Sequence, residues 1–144
     1  MLKFGVVTHN DPNTCRVRVK FAAQEDVVSH WLPVLQQKTF QDKFYSLPDV
    51  DEQVACLMDE RLEAGVVLGA IYSEVDNVSV TTKDKLYVQF SDGSVIEYDK
   101  VNHKMTADIK GAAEIRASEG VVIVGNVAVT GNITATGTIT SNQP

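Results

Sequence analysis

The chain has 144 residues, 44% of them apolar and 22% charged, with 19 acidic against 13 basic side chains for a net charge of -6. That length holds one ordinary domain, or a small one with an extended appendage, and the acidic balance argues against binding to phosphate backbones. The opening MLKFGVVTHNDPN carries too short an apolar run for a signal peptide or membrane span, so synthesis in the cytoplasm is expected.

The first half reads as short strands separated by turn clusters. KFGVVTH (3–9) is followed by the turn Asn10-Asp11-Pro12-Asn13. TCRVRVKF then alternates, placing Cys15, Val17, Val19 and Phe21 on an inner face and Arg16, Arg18 and Lys20 on a basic outer one. HWLPVL (30–35) is a third strand, and Pro33 puts it at a sheet edge or bulge because it cannot donate to a ladder. A polar loop spans 36–52, EQVACLM is a fourth strand, 59–64 a polar turn, and GVVLGAIY (65–72) a fifth strand suited to burial on both faces. Five short strands without a long amphipathic helix predict a small closed barrel, for which the OB-fold is the natural candidate.

After Glu74 the texture changes. KLYVQFSDGSVIEY is a hairpin. A two-residue Asp92-Gly93 loop would set Val88 opposite Glu97. A three-residue Ser91-Asp92-Gly93 loop with Gly93 left-handed sets Val88 opposite Ile96 and Leu86 opposite Tyr98, keeping one face apolar with Phe90 beside them, and is preferred.

From Ile109 to Ile139 the odd positions are apolar or glycine except Glu119, while even positions from Asn126 onward are almost all polar. Gly125, Gly131 and Gly137 recur every six residues, and because six is even all three fall on the apolar face. Straight, such a strand would extend on the order of 100 Å, far beyond what this chain can cover with its own elements. Left alone it exposes an apolar face and two unpaired edges. Self-association solves both problems, and three copies are the fewest that close a prism around an axis. The expected trimer core is Val121, Ile123, Val127, Val129, Ile133, Ala135 and Ile139, with the inner-face glycines as points where the chains bend and approach.

GVV near the start, RVRVKF, WLPVL, LPDVDEQVACLM and GVVLGAIY, in this order, resemble the baseplate assembly protein V family of contractile-tailed phages, related to the spike proteins of type VI secretion. The resemblance covers nearly the whole chain and implies an all-β protein: an OB-fold barrel (1–76) for hub attachment, a β-hairpin neck (77–107) and a shaft (108–144) in which three chains form an intertwined triple-stranded β-helix. It implies a homotrimeric central spike of the virion tail baseplate, assembled in the host cytoplasm, bound to a hub protein and meeting the host outer membrane only transiently, during puncture. Longer members hold iron at the apex through a His-x-His motif. The histidines here are His9, His30 and His103, and the sequence ends ITSNQP, so the resemblance implies a separate PAAR-type tip protein instead. Related spikes with a lysozyme domain insert it between barrel and helix, where 72–109 leaves no room.

The remaining candidates have plainer readings. Asp49, Asp51 and Glu52 lack further ligands for a cation and read as a solvated loop. His9 with Asp11 reads as a surface turn rather than an acid/base pair, and Arg16, Arg18 and Lys20 as a solvated or protein-contacting face. Trp31 belongs to the barrel core or to a hub contact. Cys15 and Cys56 lie far apart and read as small buried hydrophobes. No catalytic triad or phosphate loop is evident, so no catalysis, cofactor, metal or nucleic acid is expected. The rival class is an OB-type module for nucleic acid or carbohydrate with a flexible tail. A hexapeptide-repeat acyltransferase helix is disfavoured, because Val124, Thr130 and Thr136 precede the glycines where that fold wants aliphatic residues throughout.

Overall fold

The inward-outward alternation of the N-terminal half folds as a ring of antiparallel strands. The computed structural model describes residues 1–141; Asn142, Gln143 and Pro144, which end the expected shaft and the ITSNQP stretch, lie outside the described residues. The chain divides after Lys83 into two units. In the first, β1 (Leu2–Asp11) pairs with β2 (Arg16–Phe21) on one side and β5 (Gln53–Met58) on the other, and β5 pairs with β6 (Gly65–Ala70), all antiparallel. Two-residue strands β3 (Val27–Val28) and β4 (Leu32–Pro33) both pair with β2. A parallel bridge from Val34 to Val67, with Leu35 N donating to Val67 O at 2.9 Å, joins the end of β4 to β6 and closes the ring. The only helical element among the described residues is a single 3-10 turn, Ala22–Gln24, so the chain is all-β.

Every second residue of β2 and β5 faces inward, and Val17, Val19, Phe21, Val54, Cys56 and Met58 form the core with Val7, Leu32 and Val67. Gly5 sits on the inner face of β1, where a Cβ would lie 2.5 Å from Val19 Cγ1 and 2.6 Å from the Lys20 carbonyl oxygen. Gly5→Ala is therefore expected to overpack the barrel by about 1–3 kcal/mol and to lower its melting temperature, measured by circular dichroism, by several degrees or more.

Three expectations change. Cys15 does not continue the inner face of β2 but lies in the β1–β2 turn with φ 53°, half-buried. Asp11 tightens that turn by accepting Asn13 N at 3.0 Å and the Thr14 hydroxyl at 2.6 Å, so the strand starts only at Arg16. Of GVVLGAIY only Val67 is buried, and Leu68 is 42% exposed. The ladder to β5 shifts register around Leu68, and no second layer covers the outside of this sheet in a single barrel. From HWLPVL only Leu32 and Pro33 form strand, paired with Val17 and Arg16. Leu32 fills the core, while neighbouring Trp31 points out and is 43% exposed, which removes Trp31 from the core.

The second unit carries an antiparallel meander of β7 (Lys85–Gln89), β8 (Val95–Asp99) and β9 (Lys104–Asp108). Leu86 pairs with Tyr98 and Val88 with Ile96, the register of the three-residue loop. Phe90 N donates to Ser94 O at 2.9 Å, Gly93 N donates to Phe90 O at 3.0 Å, and Gly93 has φ 86°, a conformation glycine adopts without strain. The third strand has no counterpart in the sequence reading.

Candidate assembly interface

The period of two in this meander separates its faces sharply. The ladder aligns Leu86 with Tyr98 and Met105, and Val88 with Ile96 and Ala107, so one face is wholly apolar. The other face carries the rows Lys85–Asp99–Lys104 and Tyr87–Glu97–Thr106. Burial runs opposite to polarity. Lys85, Tyr87, Glu97 and Thr106 are half-buried, with Lys85 Nζ 3.4 Å from Glu97, whereas Leu86, Val88, Tyr98 and Met105 are exposed. A contiguous exposed apolar face of this kind is the usual mark of an interaction surface. Its two turns hold that face in place. Ser94 N bonds the Asp92 carboxylate and holds it below the usual carboxylate range. The Asn102 side chain, aided by the Asn102 and Val101 amides, does the same to Asp99 at the β8–β9 turn.

The apolar phase does not stop at β9. Met105 and Ala107 are odd-numbered and lie on the apolar face, and the tail continues in the same phase through Ile109, Ala113, Ile115 and onward. Ile109 is half-buried, and from 110 to 141 the chain is exposed throughout and forms no strand of its own. Among the described residues, its one backbone–backbone hydrogen bond there is Gly120 N to Ala117 O. A long run of unpaired amides and carbonyls is costly unless water or another chain satisfies it. The odd side chains are already the more sheltered: Val121 and Ile123 are 58% and 68% exposed, against 89% and 96% for Val122 and Val124. Val127, Val129, Ile133, Ala135 and Ile139 likewise lie at the surface, so a single chain brings none of the expected core residues together into a core. Gly125 and Gly131 adopt φ 134° and 128°, which L side chains rarely do, and the backbone bends there and again at 136–137. Nothing crowds the space beside Gly125, Gly131 or Gly137 within one chain.

In the barrel the other singled-out groups find structural partners. Asp11 is bound within its own turn, its carboxyl lowered chiefly by the Thr14 hydroxyl, and His9 Nδ1 lies 3.0 Å from Thr8 Oγ1, so the two are not joined. Asp49, Asp51 and Glu52 form a closed turn in which Glu52 Oε2 accepts Asp49 N at 2.8 Å, and Asp51 N donates to Val7 O. Among the described residues no group of three or more His, Cys, Asp or Glu is placed to hold a metal ion. Arg18 Nε donates to Ser29 O at 3.0 Å and Lys20 lies 3.6 Å from Asp26. Burial pushes the Cys56 thiol from its ordinary 9.0 up to about 11. Cys56 is therefore expected to resist alkylation at pH 8 until the barrel unfolds, with half-exposed Cys15 labelled first; mass spectrometry of the alkylated chain checks this.

This ring, in which β1 is flanked by β2 and β5 and a parallel contact closes β4 onto β6, is that of an OB barrel. Residues 4–72 match the family model of the type VI secretion system/phage-baseplate injector OB domain. The chain is 30% identical over 122 residues to the spike protein of Escherichia phage P2. That alignment takes in 84% of this chain and 56% of the relative, so the chain spans little more than half the length of the protein it matches.

Proposed function

We propose that the chain is the central spike of a contractile-tail baseplate, a virion component that acts mechanically and without catalysis. The observation that carries this reading is the apolar face of the meander, whose odd-numbered phase continues in the sequence of the tail, together with a tail that makes one backbone–backbone hydrogen bond among its described residues. Three copies would bury these faces around a common axis and pair their edges with one another. Such a shaft gains stiffness from an inter-chain hydrogen-bond network and a dry core of Val121, Ile123, Val127, Val129, Ile133, Ala135 and Ile139. The injector OB domain and the likeness to a phage spike protein support the baseplate setting. In this reading the barrel seats on a hub protein, a PAAR-type tip protein caps the far end of the shaft, and contraction drives the assembly through the host outer membrane.

Native mass spectrometry of the full chain tests the proposal. Three chains per particle are expected, together with a tail that survives limited proteolysis. A monomer whose residues past 108 are rapidly removed would overturn it in favour of a binding module with a flexible tail.

A further inference from the structure

The apolar face of the meander ends on a serine. Phe90 N donates to Ser94 O, so Ser94 stands opposite Phe90, one row beyond Val88 and Ile96. Continuing the β8–β9 register one residue past Val95 and Asp108 sets Ser94 opposite Ile109. The middle strand thus supplies Tyr98, Ile96 and then Ser94 to successive rows of that face. Ser94 is also the one buried residue among the described residues of the second unit, at 4% exposure. A hydroxyl hidden to that degree is costly unless it is bonded, so its partners indicate what the residue is for.

One partner lies beyond the sheet: Ser94 Oγ accepts Lys110 N at 3.0 Å. The main chain of β8 cannot make this bond. In an antiparallel ladder the N–H and C=O of one residue point to the same neighbouring strand, and the Ser94 carbonyl is already taken by Phe90 on the β7 side. The Ser94 amide goes to the Asp92 carboxylate at 2.8 Å. The side chain therefore supplies the acceptor that the ladder lacks toward β9. The Asp92 carboxyl is held low by the Ser94 amide first and also by the Ser94 hydroxyl, with the Lys110 charge adding a smaller pull. The Lys110 stem lies beside the same turn, its Cε 3.7 Å from where a Cβ on Gly93 would stand.

The position of this bond along the chain gives it a consequence. β9 ends at Asp108, and the backbone bends at Lys110 and Gly111. Past the ladder, the next main-chain hydrogen bond among the described residues is that of Gly120 with Ala117. We infer that Ser94 is a positioning residue for the tail: its hydroxyl pins the Lys110 amide where the chain leaves the sheet and so fixes the phase of departure, with Ile109 on the apolar side. Phase matters because a shift of one residue turns every following side chain to the opposite face. The pin lies wholly within one chain and does not rest on the trimer.

Hydrogen exchange of the full chain, resolved to single amides by fragmentation in the mass spectrometer, tests this. Ser94→Ala is expected to speed exchange at Lys110 about fivefold, the effect of one lost hydrogen bond, while the amides of β8 and β9 keep their protection. Ser94→Thr, which retains the hydroxyl, is expected to match the wild type. The phase is read separately from the rate at which a thiol reagent labels Ile109→Cys, which is expected to rise when Ser94→Ala is added. Unchanged exchange at Lys110 in Ser94→Ala overturns the inference. Loss of protection spread over β8 and β9 also overturns it, because the hydroxyl would then support the sheet rather than the exit of the tail. An unchanged labelling rate at Ile109→Cys does so as well, since the pin would hold an amide without setting the phase. None of these outcomes depends on the number of chains in the particle, so the spike reading is tested apart from them.

Discussion

Ile133→Asp is expected to abolish the proposed trimer while leaving the barrel folded. In one chain Ile133 is 68% exposed, so the substitution meets no local packing and costs the isolated chain little. Around a threefold axis the same change brings three carboxylates together in a dry core. An unpaired buried charge costs several kcal/mol, and three like charges at close range add repulsion that no neighbouring base relieves, because the chain has no charged residue after Glu119. Val129→Asp is expected to behave in the same way. Sedimentation velocity should show the wild-type trimer replaced by monomer, with thermal unfolding of the first unit unchanged. A stable trimer carrying either substitution would contradict the assignment of these odd positions to the core.

What could be read from the sequence was whatever a single chain decides locally. Val17, Val19 and Phe21 alternate with basic residues and fold as that pattern requires. The hairpin register followed from matching Val88 with Ile96 and from a loop that needs one left-handed glycine, Gly93. Elements set by longer-range closure were harder. β3 has only Val27 and Val28, follows Glu25 and Asp26 in left-handed conformations, and exists because Lys20 and Phe21 lie opposite it. β9 offers just Met105 and Ala107 as an apolar signal, too few for a pattern until β8 is placed beside it. Trp31 and Leu32 show a finer limit. Either could fill a core, and pairing of Leu32 with Val17 decides which turns inward. The outer faces were the least legible. An apolar run such as VVLGAIY reads as doubly buried, yet one barrel covers only its inner side. Periodicity identifies which residues share a face without identifying what covers that face.

The meander distinguishes a self-contained module from one completed by other chains, and Ile96→Asp separates the two. Ile96 lies in the middle strand of the apolar face, between Val88 and Ala107, and is 38% exposed in the single chain. If the sheet faces water, the substitution removes part of an apolar patch, improves solubility and changes stability by about 0.5 kcal/mol or less. If the face closes on two further copies, the carboxylate is buried without a partner at three equivalent positions and assembly is lost. Gln89→Asp, on the opposite face and paired with Val95, adds the same charge where solvent remains and is expected to leave assembly unchanged. Loss of the trimer in Ile96→Asp with its retention in Gln89→Asp, measured by native mass spectrometry, would extend the interface upstream of the shaft to β7–β9. Retention in both would confine it to residues after 108. The outcome bears on the stiffness of the proposed shaft, because inter-chain contact starting at β7 would make the β7–β9 meander part of a packed sheet, whereas contact starting only after β9 would leave that meander covered by no other chain.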